Sequence, residues 1–149
     1  MNTEGVNFQA NLNDLRNKVK ELLLLANKML DEEMFATAVH NASLALHIFL
    51  KLLHLEIYGI VPITSRLRNL VITLAPSGDL ENTLKRYVEE NRELFEKLEN
   101  SYKMSLLSEE LSKEEALELI EFVNKTIQFL TEMKNRISKE LSDDIKRKI

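Results

Sequence analysis

His40, His47 and His54 recur at seven-residue intervals inside the most apolar stretch of the chain. Imidazole changes charge near neutral pH, so these side chains can act as acid, base or metal ligand. At about 100° per residue, seven steps return to nearly the same side of a helix. His40, Ser43, His47, Lys51 and His54 therefore share one polar stripe, which Tyr58 continues. The other faces of residues 34–58 carry Phe35, Val39, Ala42, Leu46, Phe49, Leu50 and Leu53 among others. A helix apolar nearly all round belongs in the middle of a bundle. Its single polar stripe must then face a cleft, a subunit partner or solvent.

Metal binding is the first chemistry the histidines invite. A zinc site wants ligands within a turn or two of each other, with carboxylate or Cys nearby. Seven-residue spacing separates the imidazoles by about 10 Å along the axis, too far for one ion. No metal and no cofactor is expected. Ser43 stands four residues before His47, but a helix interior presents a hydroxyl poorly, and no G-x-S-x-G elbow exists. The three glycines are isolated, so no phosphate-cradling loop is present. The run Thr64-Ser65-Arg66-Leu67-Arg68 is more suggestive. A helix start with a hydroxyl cap and two Arg in its first turn can grip a phosphate or acidic group; the alternative is that both Arg are simply exposed. Ser65, Arg66 and Arg68 thus join the stripe as candidate ligand-binding residues. The carboxylates of the last two helices read as solvated faces with Lys partners four residues away.

Composition narrows the class. The 149 residues, with 44% hydrophobic and 30% charged, suit a single helical domain, and 3 Gly with 2 Pro leave few turns for a sheet. The absence of Cys removes disulfides, thiolate nucleophiles and Cys-based zinc sites. A net charge of −4 argues against nucleic-acid binding by bulk electrostatics. Residues 1–11 have neither a basic nor an apolar leader segment, and the apolar run 42–55 is interrupted by His47, Lys51 and His54. No signal peptide and no membrane span are expected, and the location is expected to be cytoplasmic.

Spacing of apolar residues defines the elements that hold the stripe. Asn11 or Asn13 is placed to cap a first helix ending near Asp31, with Asp31-Glu32-Glu33 as the junction. The striped helix follows, stopped by Gly59 and Pro62. Thr64 or Ser65 caps a short helix through Leu74. Asp79 opens a long amphipathic one reaching Tyr102, and Ser112-Lys113-Glu114-Glu115 is a capping box that opens the last. The fold class predicted is all-α: an antiparallel up-and-down bundle of four long helices plus one short helix. Residues 1–149 form one domain, with 1–10 and 139–149 expected to be flexible. Phe49 and Leu46 are both expected in its core.

The segment from Phe35 to Leu53, followed by Gly59, Pro62, Thr64 and Leu67 to Leu70, resembles the HEPN domain (higher eukaryotes and prokaryotes nucleotide-binding). That family shows small residues along its second helix, a Glu-x-x-x-Lys step, a Gly and Pro turn, and a Thr-His-x-Leu start to the next helix. The likeness runs from about Asp14 to Ile137. His47 stands in place of the usual Glu while Lys51 keeps the Lys, and Ser65 stands where His is common. Residues 102–107 align with a region where many members carry an Arg-Tyr pair; here Leu106-Leu107 replaces it, and Tyr102 joins the candidate ligand-binding residues. HEPN ribonucleases use an Arg followed four to six residues later by His, and no such pair exists in this chain.

The resemblance implies a HEPN-like nucleotide- or RNA-associated binding module, with no catalytic residue assigned. It also implies a homodimer and a minimal nucleotidyltransferase partner in a toxin–antitoxin type system. Two alternatives stand beside it: a metal-independent ribonuclease using His47 and Lys51, and a purely structural helical adaptor. A two-fold contact is self-complementary, so stripes of two copies would meet, and the dimer would weaken between about pH 7 and 5 as histidines protonate.

Overall fold

The computed structural model describes residues 3–64, 66–107 and 111–148. Among the described residues seven helices follow in order: α1 (Thr3–Asp31), α2 (Phe35–Tyr58), α3 (Leu67–Ile72), α4 (Gly78–Glu90), α5 (Arg92–Glu99), α6 (Ser101–Leu106) and α7 (Lys113–Lys148). The all-α class holds, and no strand occurs among the described residues. The helix count differs from the expectation of four long and one short. Three helices are long, and the stretch expected to run unbroken from Asp79 to Tyr102 is cut into α4, α5 and α6. The cuts fall at Asn91 and Asn100. Asn91 leaves helical geometry (φ −116°) and its amide nitrogen donates to the Tyr87 carbonyl at 2.8 Å. Asn side chains compete in this way for backbone groups, which is why they end helices more readily than they continue them.

The helix starts also differ. α1 begins at Thr3, so Asn11 and Asn13 lie inside it, where Asn13 accepts a hydrogen bond from Arg16 at 2.6 Å. α3 begins at Leu67 with no side-chain cap among the described residues; Thr64 lies outside the helix and accepts from the Arg66 N–H at 3.4 Å. The α7 start matches the capping box, with Ser112 Oγ accepting from the Glu115 N–H at 3.1 Å. α7 continues to Lys148, and Ser77 donates to Asp144 near its end at 3.2 Å.

α1 and α2 form a hairpin closed by a Schellman turn. The Met34 N–H donates to the Met29 carbonyl at 2.9 Å and the Glu33 N–H to Leu30 at 3.1 Å, with Glu33 in the left-handed region (φ 63°). Gly59 ends α2 in the same conformation (φ 74°), its N–H reaching the Leu55 carbonyl. α2 is the centre of the bundle. Ala38, Ala42 and Ala45 are fully buried and small enough to let α1, α6 and α7 approach it closely, while Leu46, Leu50 and Leu53 fill the gaps between. Phe49 is only partly buried, unlike Leu46, because it faces a groove between neighbouring helices. On the α4–α5–α7 side the core is aromatic. Tyr87 stacks on Phe129 with ring centroids 4.4 Å apart, Phe95 meets Phe122 edge-on at 5.0 Å, and the Tyr87 hydroxyl pairs with the fully buried Thr126 at 2.7 Å.

Among the described residues α2 is the one helix that length and composition would let cross a bilayer, a test that the core helix of a bundle also passes. Half of its most apolar window is buried inside the protein, where the other helices cover it.

Candidate functional site

One side of α2 forms the floor of an open cleft of about 700 Å³. His40, Ser43, His47 and Lys51 line it, so four of the five stripe residues come together. One wall is the start of α3, with Arg66 and Arg68; the other is the α5–α6 junction, from Glu96 to Tyr102. The break at Asn100 matters here, because it turns Tyr102 onto the rim, where its ring lies 5.4 Å from that of His40.

His54 is not in the cleft. Each seven-residue step falls about 20° short of a full return, so the stripe drifts as it descends the helix. α3 crosses it at this point. His54 Nε2 lies 2.8 Å from the Leu70 carbonyl and is buried, and the Tyr58 hydroxyl donates to the Leu74 carbonyl at 2.6 Å. These two bonds hold α3 on α2 and satisfy carbonyls at the end of a short helix. The three histidines therefore do not converge, and no group of three or more His, Cys, Asp or Glu is placed to share an ion among the described residues.

Within the cleft the side chains divide into committed and free. Ser43 is committed: its hydroxyl donates at 2.8 Å to the Leu98 carbonyl, at the last turn of α5. That bond removes it as a nucleophile for His47. Arg68 is also committed. Its guanidinium donates to both oxygens of Glu99, at 2.8 Å and 3.1–3.2 Å, and reaches Glu96 at 3.4 Å. The Arg68 backbone N–H donates to Glu99 as well, at 3.2 Å. A protein carboxylate thus occupies Arg68, one of the two arginines of the Thr64–Arg68 run that were expected to grip a phosphate or acidic group. Neither Glu96 nor Glu99 stands out in the sequence, where both read as part of a solvated face.

Lys51 and Arg66 are the free cations. Neither has an ion-pair partner among the described residues, and Arg66 is exposed. His47 sits one turn above Lys51. Burial first, and the Lys51 charge second, push its pKa below the usual histidine value, so the ring is neutral at neutral pH. His40 contributes an oddity: its Nδ1 is buried without a hydrogen-bond partner among the described residues. Ser65 lies outside the described residues. The cleft therefore offers two unpaired cations, a neutral imidazole and an exposed aromatic rim. Cations suit an anionic group, and Tyr102 suits a planar one.

A HEPN domain family model matches residues 12–136, most of the chain. The chain belongs to the HEPN family. No curated protein and no solved structure shows significant similarity to it. At the level of the family, a HEPN domain carries a nucleotide- or RNA-related function. In this HEPN chain α2 supplies the cleft floor with Lys51 at one end, and residue 47 next to it is a neutral His.

Proposed function

We propose that this HEPN domain is a non-catalytic binding module whose cleft takes a nucleotide or a short stretch of RNA. The observation that carries the reading is the pairing of two uncommitted cations, Lys51 and Arg66, with the exposed ring of Tyr102 in one cleft. Phosphate would lie between the cations and a base against Tyr102, since stacking on an aromatic side chain is tolerant of sequence. The net charge of −4 fits a site that attracts its ligand locally rather than through a broad basic surface. Titration of the purified protein with nucleoside monophosphates and with a fluorescent single-stranded RNA tests this. Saturable binding, competed by the nucleotide and weakened by Lys51→Ala, is expected. Absence of binding by either would leave the structural adaptor reading.

The ribonuclease reading draws support from one observation. A neutral His47 beside the Lys51 charge has the form of a base next to a charge-stabilising group. Metal-independent RNA cleavage, lost in both His47→Ala and Lys51→Ala, would establish it. We further propose a cytoplasmic homodimer acting beside a minimal nucleotidyltransferase in a toxin–antitoxin type system, on the family likeness alone. Because His54 is covered by α3, any stripe contact between copies would involve His40 and His47, and sedimentation velocity tests it.

A further inference from the structure

We propose that a second site, a groove between α1 and α7 on another face of α2, binds a small molecule with an apolar body and one anionic head. The groove exists because α1 and α7 both pack on α2 but scarcely meet each other. Phe49, Leu52 and Leu53 form its floor, with Val19 and Leu23 on the α1 wall and Ile127 on the α7 wall. Its volume of about 350 Å³ falls within the range of small-ligand pockets, about 300–1,000 Å³.

The charges at its mouth select the ligand. Arg16 and Lys20 from α1 and Lys134 from α7 share the lining with Glu56 of α2, the one carboxylate among the described residues that line the groove. Glu56 is nine-tenths buried and lies between two of these cations: Arg16 Nη2 donates to one oxygen at 3.0 Å and Lys134 to the other. Lys20 has no ion-pair partner among the described residues. Three cations against one carboxylate leave a surplus of two positive charges among the lining residues, beside apolar walls, and that surplus favours an anion. A neutral apolar molecule would leave that surplus uncompensated, and a cationic one would be repelled. A carboxylate or sulfate head placed between Lys20 and Lys134, with its chain on Phe49 and Leu52, satisfies both parts of the groove. Hydrophobic area and charge then act together, as they do in small-molecule sites with a few polar groups at one end. Nothing in this site overlaps Lys51, Arg66 or Tyr102, so it stands independently of the nucleotide reading.

Decanoate is a suitable probe, set against decanol and decyltrimethylammonium, with calorimetry for affinity and backbone amide shifts for location. Saturable decanoate binding is expected, roughly tenfold tighter than decanol, with no binding of the ammonium compound. Shifts should gather on residues 16–24 of α1, 49–56 of α2 and 127–134 of α7. Thr131→Trp, at an exposed rim position, and Lys20→Glu should each weaken binding by roughly tenfold. Glu56→Gln, in a variant that retains a cooperative melt, should tighten it severalfold by freeing Arg16 and Lys134. Lys51→Ala should leave it unchanged, which separates this test from that of the cleft. Equal affinity for decanol, insensitivity to Thr131→Trp, or shifts that map to the cleft would overturn the proposal. So would a dimer that Thr131→Trp dissociates, since a second copy would then fill the groove.

Discussion

Glu99 binds Arg68 twice over, through the guanidinium and through the backbone N–H, and so fixes the start of α3 to the end of α5. Both side chains are largely buried, 18% and 15% exposed, so water screens the pair only partly. Charge-assisted hydrogen bonds of this kind contribute about 1.5–3 kcal/mol each to stability when fully withdrawn from water, and less here. Glu99→Ala should therefore destabilise the fold by roughly 1–2 kcal/mol in chemical denaturation. It should also free Arg68 inside the cleft, so anion affinity should rise as stability falls. A stability loss without an affinity gain would mean Arg68 cannot reach the ligand.

Glu33 holds a left-handed conformation that an L side chain adopts at a cost of about 1–2 kcal/mol. Its position is the one where Schellman turns favour glycine. Glu33→Gly should raise stability by about 0.5–1 kcal/mol, less than the full strain because glycine loses more entropy on folding. A lower melting temperature would contradict the turn geometry.

Stability should fall in mild acid. Burial pushes the His54 pKa below the usual histidine value, outweighing the opposite pull of its bond to Leu70; His47 is lowered too, by burial and by Lys51. The folded state thus takes up these protons at lower pH than the unfolded chain does. Their contribution is fully present above about pH 6.5 and is lost as pH falls from there towards the folded pKa values. His54→Gln keeps a donor for the Leu70 carbonyl and should show a shallower loss between pH 7.5 and 5. A His54 ring titrating above about 6.5 by NMR would contradict this.

The stripe itself marks how far the sequence leads. Local periodicity exposes α2, its polar side, the Gly59 stop and the Ser112 cap, because each depends on neighbours within two turns. It does not show that α3 lies across His54, which is a tertiary contact spanning sixteen residues. The same limit hides Glu99. On its own helix it is one carboxylate among several, and only its partner thirty-one residues earlier distinguishes it. Arg68 consequently looks available for a ligand in the sequence, whereas in the fold it is paired. The breaks at Asn91 and Asn100 are visible as residue types, but the apolar spacing through Leu94 and Leu98 continues across them and masks the interruption.

Lys51 and Arg66 are proposed above as the anion-binding part of the cleft, and the binding-module reading depends on them. The most direct measurement is fluorescence anisotropy of a labelled single-stranded RNA across a salt series, for the native protein and for Lys51→Ala with Arg66→Ala. The native protein should bind saturably, and the double variant, still folded by circular dichroism, should bind at least roughly tenfold more weakly. Its log–log salt slope should be shallower by about 0.7 for each phosphate that is no longer neutralised. Unchanged affinity and slope in the folded double variant would contradict the assignment.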